Sequence, residues 1–288
     1  MHATGVEAAA IQDVRLRVAD LPRALAFYQD VLGMRPVPGE AAGALAAGGR
    51  GPVLIRLEAS PDAPERPRGT AGLFHVAFLY PDRASLGAVL QRLLQFGIPL
   101  GSADHGVSEA LYLSDLEGNG IELYADRPRD AWPQTGDGGV AMYTDALAFA
   151  PLLEEGRKAD ATTMPPATRI GHIHLSVASL GNAERFYADL LGFQVTQRNY
   201  PGALFLSRGG YHHHVGTNVW NSRAPAQPGV LGLDRFTVGL DEAEWTAAVD
   251  RLEAAGRVEA REDGVVAARD FDGIGVAVAS RAVGPRAA

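Results

Sequence analysis

Apolar and polar residues alternate along four short stretches of the chain: "VRLRV" (14–18), "HVAFLY" (75–80), "HIHLSV" (172–177) and "RFTVGL" (235–240). A period of two is the mark of a half-buried β-strand. Each stretch is followed by a run whose apolar positions recur at helical spacing, and the pattern predicts helices near 22–32, 83–96, 181–191 and 242–255. Acidic residues or proline open these runs, and Gly33, Gly97, Gly192 and Gly256 close them. Short alternating segments punctuated by Gly and Asp come next, so each unit reads as a βαβββ module. The predicted class is α+β.

The modules are related to one another. At an offset of 159, "VADLPRALAFYQDVLGM" (18–34) lies over "VASLGNAERFYADLLGF" (177–193), and residues 74–97 lie over 233–256. At an offset of 155, "SDLEGNGIELY" (114–124) lies over "RDFDGIGVAVA" (269–279). The chain is therefore two similar halves of two modules each, residues 1–128 and 169–288. A linker over 129–168 mixes Pro, Gly and charge around a short helix expected at 145–155.

Composition narrows the chemistry. With 47% hydrophobic residues, 288 residues suffice for full cores, and a net charge of -8 speaks against nucleic acid as a partner. The opening "MHATGVEAAA" has no basic start leading into an apolar run, and no apolar stretch spans a bilayer, so no membrane association and a cytoplasmic location are expected. A homo-oligomer stays open. There are no cysteines, which rules out disulfides, thiolate nucleophiles and Cys-based zinc sites. Any metal must rest on His, Asp or Glu. Three of the 8 histidines, His212, His213 and His214, stand together inside the chain, where a purification tag would not be.

The strings "VADLPRALAFYQDVLGM" and "DLEGNGIELYADRP" resemble the vicinal-oxygen-chelate superfamily, which includes glyoxalases, fosfomycin- and bleomycin-resistance proteins and extradiol dioxygenases. Together with "GHIHLSV" and "GGYHHHVGTNVW", they look like its catechol 2,3-dioxygenase branch. The resemblance implies four modules forming two cupped mixed β-sheet barrels with helices outside. It also places metal ligands on the first and last strands of paired modules. The first-strand positions are Asp13, His75, His172 and Asp234; the last-strand positions include Glu122, the 212–214 run and Ala277.

Only modules two and three then carry a two-His-one-carboxylate set, His75, His172 and Glu122, of the kind that leaves open positions on Fe(II), or Mn(II), for a small aromatic substrate and O2. That requires module one to pair with four and two with three. By the same resemblance Tyr112 and His105 contact the substrate, and one histidine of the run is catalytic. His214 is the first choice and His213 the second, on the expectation that side chains alternate along a strand. Asn218 and Trp220 are expected to line the pocket. His174, two residues beyond His172, is the alternative ligand or a supporting group.

Three functions fit these features. The first is an extradiol dioxygenase acting on a catechol. The second is a glyoxalase-type lyase or isomerase with a fourth ligand such as His214 and Ni(II) or Zn(II). The third is a non-catalytic small-molecule-binding resistance protein, since a fold by itself does not fix function. Tyr112 and His105 favour the first, because neither has an evident task in the others.

Overall fold

The computed structural model of the chain describes residues 10–49, 51–134 and 140–281. Module one consists of β1 (Ile11–Val18), α1 (Leu21–Ala26), β2 (Arg35–Pro36), β3 (Ala44–Ala46) and β4 (Ile55–Ala59). Module two follows as β5 (Gly72–Leu79), α2 (Arg83–Gln95), β6 (Gly101–Asp104), β7 (Ser108–Ser114) and β8 (Gly120–Asp126). After the linker helix α3 (Phe149–Gly156), module three contains β9 (Arg169–Ser176), α4 (Leu180–Glu184), β10 (Gln194–Gln197), β11 (Ala203–Ser207) and β12 (Val215–Asn218). Module four contains β13 (Gly232–Leu240), α5 (Glu242–Ala254), β14 (Val258–Glu262), β15 (Val265–Arg269) and β16 (Gly275–Ser280). The βαβββ reading holds in all four.

Each sheet draws one module from each half of the chain. One runs β14-β15-β16-β13-β1-β4-β3-β2 and the other β10-β11-β12-β9-β5-β8-β7-β6. The joining pairs, β1 with β13 and β5 with β9, are antiparallel, whereas the first and last strands within a module pair in parallel. Module one thus pairs with four, and two with three, as the distribution of histidines requires. The opening nine residues and residues 135–139 of the linker lie outside the described residues. Among the described residues, no helix is long and apolar enough to cross a membrane.

Local sequence accounts for the helices. Asp20, Asp82 and Ser179 cap the starts of α1, α2 and α4, each side chain accepting a backbone N–H three residues on, at 3.0, 2.7 and 3.2 Å. Helices α1 and α4 then widen into π-helical turns over Phe27–Val31 and Arg185–Leu190, which carry the repeated Phe-Tyr pair. That turn aims Tyr28 and Tyr187 inward, where each hydroxyl donates to a buried carboxylate of the next module in the chain: Tyr28 to Asp115 and Tyr187 to Asp270, both at 3.0 Å. Asp115 also accepts the backbone N–H groups of Glu117 and Asn119, and Asp270 those of Asp272 and Ile274, so the two "D-x-x-G" turns are built alike. Because consecutive modules lie in different sheets, these struts tie one sheet to the other. Most buried apolar side chains of both sheets and of the helices form one continuous core, with two small clusters, around Tyr124 and around Trp132, set apart from it.

The linker is packed onto the fold. Helix α3 crosses α2 so closely that a Cβ on Gly87 would stand 2.1 Å from the Leu152 carbonyl oxygen and 2.8 Å from the Gly156 backbone. Gly87→Ala should therefore destabilise the protein by about 1–3 kcal/mol, even though alanine is favoured by roughly 1 kcal/mol in an isolated helix. A lower urea midpoint at unchanged slope is the expected result, and an unaltered midpoint would show that α3 yields at little cost.

Candidate active site

Strand register assembles the site. Across the sheet of modules two and three, one row reads His172 on β9, Ala77 on β5, Glu122 on β8, Tyr112 on β7 and Gly101 on β6. Two small residues, Ala77 and Gly101, stand among the functional ones in this row, leaving space above them. A second row places Gly216, His174, His75 and Gly120 beside one another. His75 and Ala77 share a face of β5, so the imidazole of one row leans over the gap in the other.

The result is a convergence of donors. His75 Nε2 and His172 Nε2 lie 2.9 and 3.0 Å from the same oxygen, Glu122 Oε2, and all three side chains are buried. The potential ligand atoms lie within 4.8 Å of one another. Only the His172 contact has hydrogen-bond geometry, which leaves His75 Nε2 buried without a partner. Burial pushes the Glu122 carboxyl up, but the neighbouring His172 and then His75 outweigh it and hold the group well below the usual range. Burial pulls His172 below an ordinary histidine. A buried carboxylate beside a His172 that burial biases toward the neutral form lacks a full positive counterpart, and a divalent cation taking nitrogen and oxygen donors would supply it.

The ring of His172 is packed against two tilted rings, with centroids 4.1 Å from His213 and 5.0 Å from Tyr124. Tyr124 reaches this place over Gly171, where a Cβ would stand 1.7 Å from its hydroxyl oxygen.

Beside Glu122, the Tyr112 hydroxyl lies 2.7 Å from His105 Nε2, and His105 Nδ1 lies 2.7 Å from the backbone carbonyl of Tyr143 in the linker. A carbonyl can only accept, so Nδ1 carries the proton, and in neutral His105 the Nε2 lone pair accepts from Tyr112. Burial, followed by the neighbouring Glu122, raises the Tyr112 hydroxyl well above its ordinary pKa and keeps it protonated. On the opposite wall stands His213, which burial and then the charge of His172 hold well below the usual histidine range. Between these walls lies a cavity of about 410 Å³ whose rim is aromatic: Phe74, Tyr143, Tyr200, Phe205 and Trp220. Among the described residues lining it there is no Lys or Arg.

The corresponding positions in the other sheet are ion-paired. Asp13 faces Arg56 at 3.9 Å, Asp234 pairs with Arg17, and Ala277 offers no ligand atom. The positive charges of Arg56, Arg15 and Arg235 act on Asp13 instead of a metal's.

The model of the Glyoxalase/Bleomycin resistance protein/Dioxygenase superfamily matches residues 10–123 and 169–276, all four modules. The chain belongs to this superfamily. It is 46% identical over 249 residues to a Bacillus subtilis (strain 168) protein named Catechol-2,3-dioxygenase, covering 84% of this chain and 87% of that one. A Rhodococcus globerulus protein named Biphenyl-2,3-diol 1,2-dioxygenase 3 is 34% identical over 117 residues, 38% of this chain and 60% of its own length. Among solved structures, glyoxalase I from Zea mays superposes with a TM-score of 0.55 at 15% identity, covering 94% of this chain and 92% of that one; this likeness concerns the fold alone.

The geometry of this superfamily member departs from the sequence reading at several positions. His214 does not line the cavity: its Nδ1 accepts from the Ser207 hydroxyl at 3.0 Å and the Arg208 N–H at 3.2 Å, and its ring packs on Tyr211. The histidine run bends before β12 begins at Val215, so strand alternation does not apply, and His212 and His213 both reach the cavity. Asn218 is buried with its side-chain oxygen taken by the Trp220 N–H, away from the cavity; Trp220 itself does line it. His174 lines the cavity under Phe74 and Trp220, outside the donor cluster.

Phe74 escaped the sequence reading because alternation puts it opposite His75. A register shift between Leu73 and His75 in the pairing with β9 turns it toward the mouth instead. Met142, Tyr143 and Thr144 escaped because they belong to the linker, which has no counterpart in the repeat.

Proposed function

We propose that this protein is an extradiol dioxygenase that opens the ring of a catechol beside its hydroxyl groups with O2. The observation that carries the reading is the convergence of two imidazole nitrogens on one buried carboxylate oxygen, flanked by the Tyr112–His105 pair and by His213, in a chain 46% identical to a protein named for this reaction. His75, His172 and Glu122 would hold Fe(II), or Mn(II) in its place. Such an ion would supply the open coordination positions that bring a catechol and O2 together.

The chain's own groups handle the protons and the ring. Tyr112 directs its hydrogen at His105, so its oxygen accepts from a catechol hydroxyl. The proton can then pass through Tyr112 to His105 Nε2, after which the Tyr112 O–H donates to the catecholate it helped to form. His213, on the other wall, serves as the acid–base group on the oxygen side, the role expected of one member of the run. The aromatic rim excludes water and grips the ring faces. An isomerase of the glyoxalase type would want a fourth ligand, and the candidate for it, His214, is engaged by Ser207 and Arg208.

Metal content after anaerobic purification tests the ligand set. His75→Ala, His172→Ala and Glu122→Ala should each lose the ion while staying folded, and Asp234→Ala should keep it. Metal retained by His172→Ala would move the assignment to His174. Tyr112→Phe should retain metal while kcat/KM on catechol falls about ten- to a hundredfold, the scale of one hydrogen bond to a charged oxygen; an unchanged rate would leave Tyr112 a packing residue. Because no Lys or Arg is among the described residues lining the cavity, a carboxylated catechol should be cleaved roughly ten- to a hundredfold less efficiently than catechol or an alkyl catechol, since a carboxylate brought in without a basic side chain to pair with must be desolvated. Equal kcat/KM values for the two would oppose that expectation.

A further inference from the structure

Behind the cavity wall runs a polar chain that the chemistry above does not use. His213 Nδ1 lies 2.8 Å from His212 Nδ1, and His212 Nε2 lies 3.1 Å from Asp126 Oδ1. The other oxygen of Asp126 accepts from the Tyr211 hydroxyl at 2.9 Å. The His212 ring is buried and clamped between Tyr211, with centroids 4.0 Å apart and planes 35° apart, and Trp132 at 5.3 Å.

The direction of each bond follows from what each atom can do. A carboxylate only accepts, so His212 Nε2 bears a hydrogen; in the neutral ring Nδ1 is then a lone pair. Two facing lone pairs would repel, so with His212 in its neutral form His213 Nδ1 brings the hydrogen to that contact. Nε2 is the nitrogen of His213 left for a ligand, and it is left unprotonated. The reverse order would set the His212 Nε2 lone pair against a carboxylate oxygen.

We propose that Asp126 and His212 are positioning residues that hold His213 in its Nδ1–H tautomer, so that its Nε2 enters the cavity as an unprotonated acid–base nitrogen, ready to accept a proton. The inference rests on reading His213 as the acid–base group of the site. Asp126 stands at the end of β8, four residues beyond Glu122, while His212 and His213 come from module three. The strand that carries the proposed ligand therefore also sets the tautomer of the group across the cavity.

Nitrogen NMR of protein labelled with 15N-histidine, with the His213 signals identified by their loss in His213→Asn, reads the tautomer without turnover or metal. A protonated Nδ1 and an unprotonated Nε2 are expected; a protonated Nε2 overturns the proposal. A pair of variants then separates positioning from packing. His212→Phe keeps a ring between Tyr211 and Trp132 but removes the acceptor, whereas His212→Asn loses the ring and sets an amide oxygen near the place of Nδ1. On catechol, His212→Phe should lower kcat about ten- to a hundredfold with KM and metal content little changed, and His212→Asn should retain roughly tenfold more kcat than His212→Phe. If His212→Phe is the more active of the two, His212 acts by packing and the proposal fails. Wild-type protein that leaves catechol uncleaved would count against the dioxygenase reading, while the NMR result would still decide the tautomer.

Discussion

Keeping a carboxylate ionised inside a β-sheet is the constraint on which the arrangement around Glu122 depends. Left alone, such a group would take up a proton, because a buried charge without partners costs several kcal/mol. Two imidazoles answer it, His75 from the first half of the chain and His172 from the second, and they meet only because β5 and β9 pair. The cluster cannot form until strands about a hundred residues apart in sequence have joined, so the site and the tertiary fold depend on one long-range pairing.

The two sheets show the same scaffold put to different ends. The struts from Tyr28 to Asp115 and from Tyr187 to Asp270 are near copies in position and length, and burial pushes the Asp270 carboxyl up to about 6. These struts hold turns that every module pair needs, so their chemistry is retained in both halves. The cups differ completely. One gathers histidines around a carboxylate; the other surrounds Asp13 with Arg56, Arg15 and Arg235. Backbone geometry is common to the repeat, and the residues facing the cups carry the difference.

That division also explains what could be read from the chain. The strand and helix pattern and the four modules follow from periodicity and repetition, while the pairing of two with three and the grouping of His75, His172 and Glu122 follow from the family resemblance, which puts ligands on the first and last strands of paired modules. What escaped depends on local departures from period. The bend through residues 211–214 turns His214 away and brings His212 and His213 to the cavity together. A register shift beside Leu73 rotates Phe74 toward the mouth. The polar chain through Tyr211 and Asp126 could not be foreseen, since nothing in the periodicity or the repeat links Asp126 to the histidine run. The Tyr143 carbonyl that orients His105 is a backbone group in a segment without periodicity, and no residue identity encodes it.

The exchange of modules between halves has a consequence for how the chain holds together. Severed from its partner, either half would present two open strand edges: β1 and β5 in one, β9 and β13 in the other. Each half is the complement that closes those edges. Geometrically the molecule is a dimer of two-module units whose subunits have been spliced head to tail. The segment from 129 to 168 then does what a high subunit concentration would otherwise do, supplying each half with a complement that dilution cannot remove.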